Sequence, residues 1–323
     1  MKTWIDFDGA PVFAIPLTDE VDGRTVCEGM LIEGPQGWGE FSPPRDCDDR
    51  VAARWLTAAI EVGTVGWPDP VRGRVRVAAT IPIVAPDRAR TLAVESGCRS
   101  AVVHVGSPSL ADDITRVEAV RDALGPEGVI RCDADGRWDV DTATAAIPAL
   151  DRAAGGLEFI EQPCRTLGEI AAVRKKVDVP IAVDQSLRDA PEPLAVDLND
   201  AADIAVLTVS PLGGVRRALR VAETCALPCA ASAAVESSMG IAGALALAGV
   251  LPETSFAAEV GTARLLDGDM VSPGRSLIPI DGYLPVAPMP PAPDPDRLAR
   301  FGVTDRATVA WWRQRLERVQ QYL

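Results

Sequence analysis

Three short apolar runs in the middle of the chain each end on an acid. Gly128-Val129-Ile130-Arg131-Cys132-Asp133 is the first, Gly156-Leu157-Glu158-Phe159-Ile160-Glu161 the second, and Val179-Pro180-Ile181-Ala182-Val183-Asp184 the third. The acids are 28 and 23 residues apart, about the length of one strand, loop, helix and loop. Apolar runs separated by helical patterns read as buried parallel strands of βα units. If the sheet closes into a barrel, an acid at the C-terminal end of each of three successive strands faces one mouth. Three carboxylates converging there repel one another unless a hard cation lies between them, and Mg²⁺ suits such oxygen ligands.

The elements that must position these acids follow from the rhythm of the chain. From Val75 onward, apolar runs at 75–83, 99–105, 129–133, 157–161, 181–184, 204–209, 228–232 and 255–260 alternate with helical patterns. The helical patterns include 110–124, stopped by Gly125-Pro126, and 215–225. Eight strands are the number a (β/α)₈ barrel requires. No Gly-rich phosphate loop marks the crevice of an open doubly wound sheet, so the barrel is the better reading.

Before it, residues 11–17 and 25–33 read as strands joined by a polar loop at 18–24, and 48–62 has helical periodicity with Asp48 or Asp49 placed to cap it. This first unit reads as α+β. The expected division is a cap at 1–72, a barrel at 73–264, and a C-terminal segment at 265–323 that packs back on the cap. In that segment 288–295 is expected to be extended and 308–322 helical.

Bulk properties narrow the function. The formal charge of −14 argues against nucleic acid and anionic membrane as partners, since both need a basic patch. Its seven cysteines are scattered without CxxC spacing or a signal peptide, which points to reduced thiols and a cytoplasmic location. The apolar stretch 241–251 is too short to span a bilayer and reads as a buried helix. A small-molecule substrate is the expected partner; oligomeric state is not legible.

An α+β cap followed by a barrel with acids on its third, fourth and fifth strands resembles the enolase superfamily, and within it the o-succinylbenzoate synthases of the actinobacterial type. The likeness is carried by Gly37-Trp38-Gly39-Glu40-Phe41-Ser42-Pro43, Asp49-Arg50-Val51-Ala52-Ala53-Arg54-Trp55-Leu56 and Ala123-Leu124-Gly125-Pro126-Glu127-Gly128. It continues through Glu161-Gln162-Pro163-Cys164, Val179-Pro180-Ile181-Ala182, Pro211-Leu212-Gly213-Gly214-Val215 and Ala234-Val235-Glu236-Ser237-Ser238.

The resemblance implies that Asp133, Glu161 and Asp184 hold one Mg²⁺, which binds a substrate carboxylate and stabilises the negative charge formed when the adjacent carbon loses a proton. It also implies a Lys-x-Lys pair on the second strand and a lysine ending the sixth. Here those positions read Val102, His104 and Thr208. His104, the only histidine, is therefore the candidate base or acid, a role its near-neutral pKa suits. Thr208 either donates a hydrogen bond to substrate or fills space.

Family placement also marks Gly213, Gly214 and Ser232 as groups that bind a carboxylate or carbonyl, and Asp135 and Gln185 as further departures from the family text. The family's cap loop is Arg-rich where it covers the substrate, but here it reads Asp19-Glu20-Val21-Asp22-Gly23-Arg24. Asp22 and Glu20 there, with Glu259 at the eighth-strand end, suggest a substrate less anionic than the family's usual one, and Asp22, Arg24, Asp135 and Glu259 are candidate substrate-binding residues. Together these residues imply elimination, isomerisation or cyclisation beside a carboxylate or carbonyl. The alternatives are o-succinylbenzoate synthesis itself, a catalytically retired barrel, or a cyclase that only folds its substrate.

Overall fold

The computed structural model describes residues 4–252, 256–287, 289–290 and 292–323. The first unit is a three-stranded antiparallel sheet of β1 (Val12–Val21), β2 (Arg24–Glu33) and β3 (Trp38–Phe41), covered by the helix Asp49–Thr64. Asp48 caps that helix by accepting from Arg50 N–H. The C-terminal helix Arg306–Gln320 packs on the same unit. Its buried Trp312, Leu316 and Val319 join Met30, Ile32, Phe41, Trp55 and Leu56 in one apolar cluster.

The 18–24 stretch is not a loop. β1 runs on through Thr18 to Val21, and only Asp22 and Gly23 turn, with φ of 48° and 76°. Two positive φ values at the centre of a two-residue connection form the turn whose twist matches antiparallel strands, and Asp-Gly suits it. The far half of β1 leaves the cap and lies against the barrel. Leu17 bridges Leu266, Asp267 N–H donates to the Pro16 carbonyl, and Asp19 pairs with Arg88 at 2.6 Å.

The expected 75–83 strand is split. β4 (Arg74–Arg76) pairs antiparallel with β12 (Tyr283–Pro285), and β5 (Ala78–Ile81) enters the parallel sheet. Among the described residues that sheet has seven strands: β5, β6 (Ser100–His104), β7 (Val129–Asp133), β8 (Leu157–Glu161), β9 (Ile181–Val183), β10 (Ile204–Thr208) and β11 (Cys229–Ser232), neighbours in that order. The eighth strand, expected at 255–260, is reduced to bridges, and Ser255 lies outside the described residues. Ala258 bridges Val77 on one edge and Glu259 bridges Ser232 on the other, so this segment joins the two edges and closes the barrel.

The apolar 241–251 run lies in the helix Ser238–Val250, nearly all buried. Of the extended 288–295 stretch, Pro288 and Pro291 lie outside the described residues, and Pro295 begins the helix Pro295–Phe301, as proline suits a first helical position. Among the described residues no helix is long and apolar enough to cross a membrane, and all seven cysteines are free thiols.

Candidate active site

Strand register builds the site. His104 pairs with Asp133 across β6 and β7, Asp133 with Glu161 across β7 and β8, and Thr208 with Ser232 across β10 and β11. Asp184 follows directly on β9. Side chains alternate along a strand, so Cys132 belongs to the surrounding core while Asp133 faces the barrel axis. A cavity of about 70 Å³ is lined by Asp22, His104, Asp133, Glu161, Asp184, Thr208, Ser232 and Glu259, together with Arg188, Thr80 and Val102. That volume holds a few waters and is well below the roughly 300–1,000 Å³ of small-molecule sites, so admitting a substrate requires lining side chains to move. Larger clefts of about 870 and 690 Å³ lie elsewhere, without converging acids.

The hairpin turn brings Asp22 over this mouth. Its Oδ1 is 3.3 Å from His104 Nδ1, while Asp133 Oδ2 is 3.8 Å from the same nitrogen. Burial disfavours the imidazolium, but the charge of Asp22, reinforced by Asp133 and Asp135, outweighs it and raises the His104 pKa to about 9. Asp22 is driven the other way: against burial, His104, Arg188 and Arg137 hold its carboxyl well below the usual range.

The three acids on β7 to β9 are all pushed up. Burial raises Asp133 to about 7, His104 opposing and Asp22 and Asp135 adding. Burial raises Asp184 to about 6 despite Arg188 and the Thr208 hydroxyl, which donates to Asp184 Oδ1 at 2.7 Å. Glu161 is held well above its usual range, through burial and then the charges of Glu259, Asp133 and Asp184. Its Oε2 is buried with no hydrogen-bond partner.

Arginines that sequence reasoning missed shape the rest. Arg131, two residues before Asp133 on the same strand face, is buried between Phe159 and Phe256 and pairs with Glu259 Oε1 at 3.0 Å and Glu158 at 2.6 Å. Arg188, one helical turn after Asp184, has its Nε 2.9 Å from Asp184 Oδ2. Arg137 reaches Asp22 at 3.5 Å and Asp135 at 3.3 Å, and Gln185 donates to Asp135 at the rim. Period-two spacing on a strand and i, i+4 spacing on a helix were the available signals for Arg131 and Arg188.

Asp22 and Glu259, expected to favour a less anionic substrate, each already face a positive side chain, Asp22 with Arg137 and His104 and Glu259 with Arg131. Arg24, Gly213 and Gly214 do not line the cavity. Gly214 precedes the helix Val215–Cys225, whose first N–H groups at Val215 and Arg216 donate to Glu61, and a side chain at Gly214 would strike that carboxylate. Arg24 acts electrostatically on the buried Glu236.

The donor set suits a hard dication. With every carboxyl ionised, Asp22, Asp133, Asp135, Glu158, Glu161, Asp184 and Glu259 facing Arg131, Arg137, Arg188 and a protonated His104 would leave an excess of three negative charges. Glu161 Oε2 is a ready ligand atom. As placed, however, no three His, Cys, Asp or Glu side chains among the described residues close round one point.

Known proteins match both units of the chain. Residues 85–291 match the enolase C-terminal domain-like family and residues 12–63 the enolase N-terminal domain-like family. The o-succinylbenzoate synthase of Thermobifida fusca is 51% identical over 276 residues, covering 85% of this chain and 86% of that protein. The enzyme of the same name from Mycobacterium leprae is 42% identical, covering 96% and 91%. In fold, the dipeptide epimerase of Enterococcus faecalis, solved with Mg and the dipeptide L-Leu-L-Tyr, superposes with a TM-score of 0.73 at 21% identity over 90% of this chain and 98% of that one. The chain therefore belongs to the enolase superfamily as a homologue of o-succinylbenzoate synthase, an enzyme of that superfamily's lyase and isomerase class.

Proposed function

We propose that this enzyme moves a proton at a carbon beside a carboxylate or carbonyl of a small molecule, in an elimination, isomerisation or cyclisation, with His104 acting where the family resemblance implies a lysine. The observation that carries this reading is the His104–Asp22 pair, set beside Asp133 and Glu161 on adjacent strands. Asp133, Glu161 and Asp184 would hold Mg²⁺, which supplies positive charge where negative charge develops on the substrate. Asp22 engages His104 Nδ1, which leaves Nε2 to exchange a proton with the substrate. Thr208 and Arg188 orient Asp184 from its two oxygens. The cap turn shields the imidazole from bulk water.

In D₂O with Mg²⁺, a panel of α-carboxy and α-keto C–H acids followed by proton NMR tests the reading. Exchange in the wild-type chain that is lost in His104→Ala supports it; exchange undiminished in that variant removes His104 from the mechanism. The identity of 42–51% to named relatives favours a second reading, o-succinylbenzoate synthesis itself. A positioned acid–base group contributes roughly 10²–10⁴-fold, so the absence of lysine from all three positions where the resemblance implies one, Val102, His104 and Thr208, weighs against it. Side by side with the Thermobifida fusca enzyme, formation of o-succinylbenzoate at a comparable rate would establish the second reading.

A further inference from the structure

We propose that Arg188 is the substrate-anion receptor of this site and that it exchanges partners, neutralising Asp184 while the acids hold no cation and turning to an anionic oxygen of the substrate once they do. The inference rests on the reading of Asp133, Glu161 and Asp184 as a cation site.

Arg188 is the one guanidinium or ammonium lining the cavity among the described residues. Lys175 and Lys176 are exposed at the end of the helix Leu167–Arg174, and the second- and sixth-strand positions facing the cavity are Val102, His104 and Thr208. An anionic group entering the cavity therefore meets Arg188 as its fixed positive charge.

Its present pairing is close but poorly directed. Nε stands 2.9 Å from Asp184 Oδ2, yet its buried N–H has no hydrogen-bond acceptor, and the other end of the fork is 4.0 Å from Asp135. Contact without alignment retains Coulomb attraction and forfeits the directional bond. Asp184 is thus held on one oxygen by Thr208 and on the other by Arg188, and it does not close with Asp133 and Glu161 round one point.

A dication entering beside the unpartnered Glu161 Oε2 competes with Arg188 for Asp184. The displaced guanidinium is a quarter exposed, and the acids beside it are engaged: Asp22 with His104 and Arg137, Asp135 with Gln185 and Arg137. An anionic oxygen of the substrate is an acceptor with no such competing partner. A planar fork matches a carboxylate, so the substrate class is a carboxylate, or a dicarboxylate with one group on the cation and one on Arg188.

Calorimetric titration of the full chain with MgCl₂, and then of the Mg²⁺-saturated chain with o-succinylbenzoate as a dicarboxylate probe, tests this on wild type, Arg188→Gln and Arg188→Lys. Arg188→Gln is expected to bind Mg²⁺ at least as tightly as wild type and the probe roughly ten- to a hundredfold more weakly, the worth of a charged hydrogen-bond pair. Arg188→Lys, which keeps the charge and guards against a folding defect, is expected to fall between. Weaker Mg²⁺ binding in Arg188→Gln, or probe binding no different from wild type, overturns the exchange. A wild-type chain that takes up no Mg²⁺ overturns the cation-site reading itself, and the exchange with it.

Discussion

Asp22 Oδ1 and His104 Nδ1 lie 3.3 Å apart across the junction of cap and barrel, so a hairpin turn of one unit completes the imidazole site of the other. In the function proposed above, Asp22 orients the ring through Nδ1 and so leaves Nε2 for the substrate. Asp22→Asn is expected to lower turnover roughly 10–100-fold, the usual effect of losing a residue that orients a catalytic ligand, while Mg²⁺ uptake is retained. Steady-state kinetics beside a Mg²⁺ titration checks it. Unchanged turnover would make Asp22 a bystander.

Arg131 and Glu259 form a buried pair beneath the cavity, and the guanidinium is already flanked by two rings. Glu259→Ala strands part of that charge in the barrel interior and is expected to cost about 3 kcal/mol, with Glu158 retaining one edge of the guanidinium. Arg131→Met combined with Glu259→Ala is expected to cost less than the sum of the two single changes. Chemical denaturation of the four chains completes the cycle; strict additivity would show that the pair is not coupled.

Glu40 is buried at the join of β3 and the barrel, accepting from Ser42 Oγ at 2.7 Å, Ser237 N–H at 3.2 Å, the Ser237 hydroxyl and Gly240 N–H. Burial, then the charge of Glu236, raises it to about 8 against those hydrogen bonds. The folded chain thus keeps a proton that the unfolded chain sheds near 4.5. Stability from this group is full below the unfolded pKa and falls as pH rises toward 8, by at most about 1.4 kcal/mol per pH unit. Denaturation at pH 6 and pH 8.5 is expected to show the loss in wild type and a smaller one in Glu40→Gln. An equal loss in both chains would contradict the assignment.

Trp312 is fully buried against Phe41, with ring centroids 6.0 Å apart, and ties the last helix to the cap. Trp312→Ala is expected to destabilise by about 3–5 kcal/mol, measured by denaturant unfolding. A cost under about 1 kcal/mol would mean that the helix contributes little to the cap's core.

Much of this was legible because period and spacing encode it. The three acids lie at strand ends because each closes an apolar run, and the Asp48 cap follows from an acid just ahead of a periodic stretch. The β1–β2 turn was misread as a loop because polar residues at 18–20 masked strand continuity, although Asp22-Gly23 is a strong hairpin signal. The last barrel strand was overextended since an apolar run does not reveal that only single bridges form. Which acids are already neutralised was hidden, because Arg131 with Glu259 and Arg137 with Asp22 meet only across more than 100 residues of chain. The loss of Gly213 and Gly214 from the site has the same cause, their contact with Glu61 being tertiary.

The measurement closest to the centre is Mn²⁺ binding, followed by electron paramagnetic resonance, on the wild-type chain and on Glu161→Gln. One ion per wild-type chain, displaced by Mg²⁺ and lost or weakened roughly a hundredfold in Glu161→Gln, is the expected result. No uptake by the wild-type chain, or equal uptake by both, would contradict a cation held by Asp133, Glu161 and Asp184.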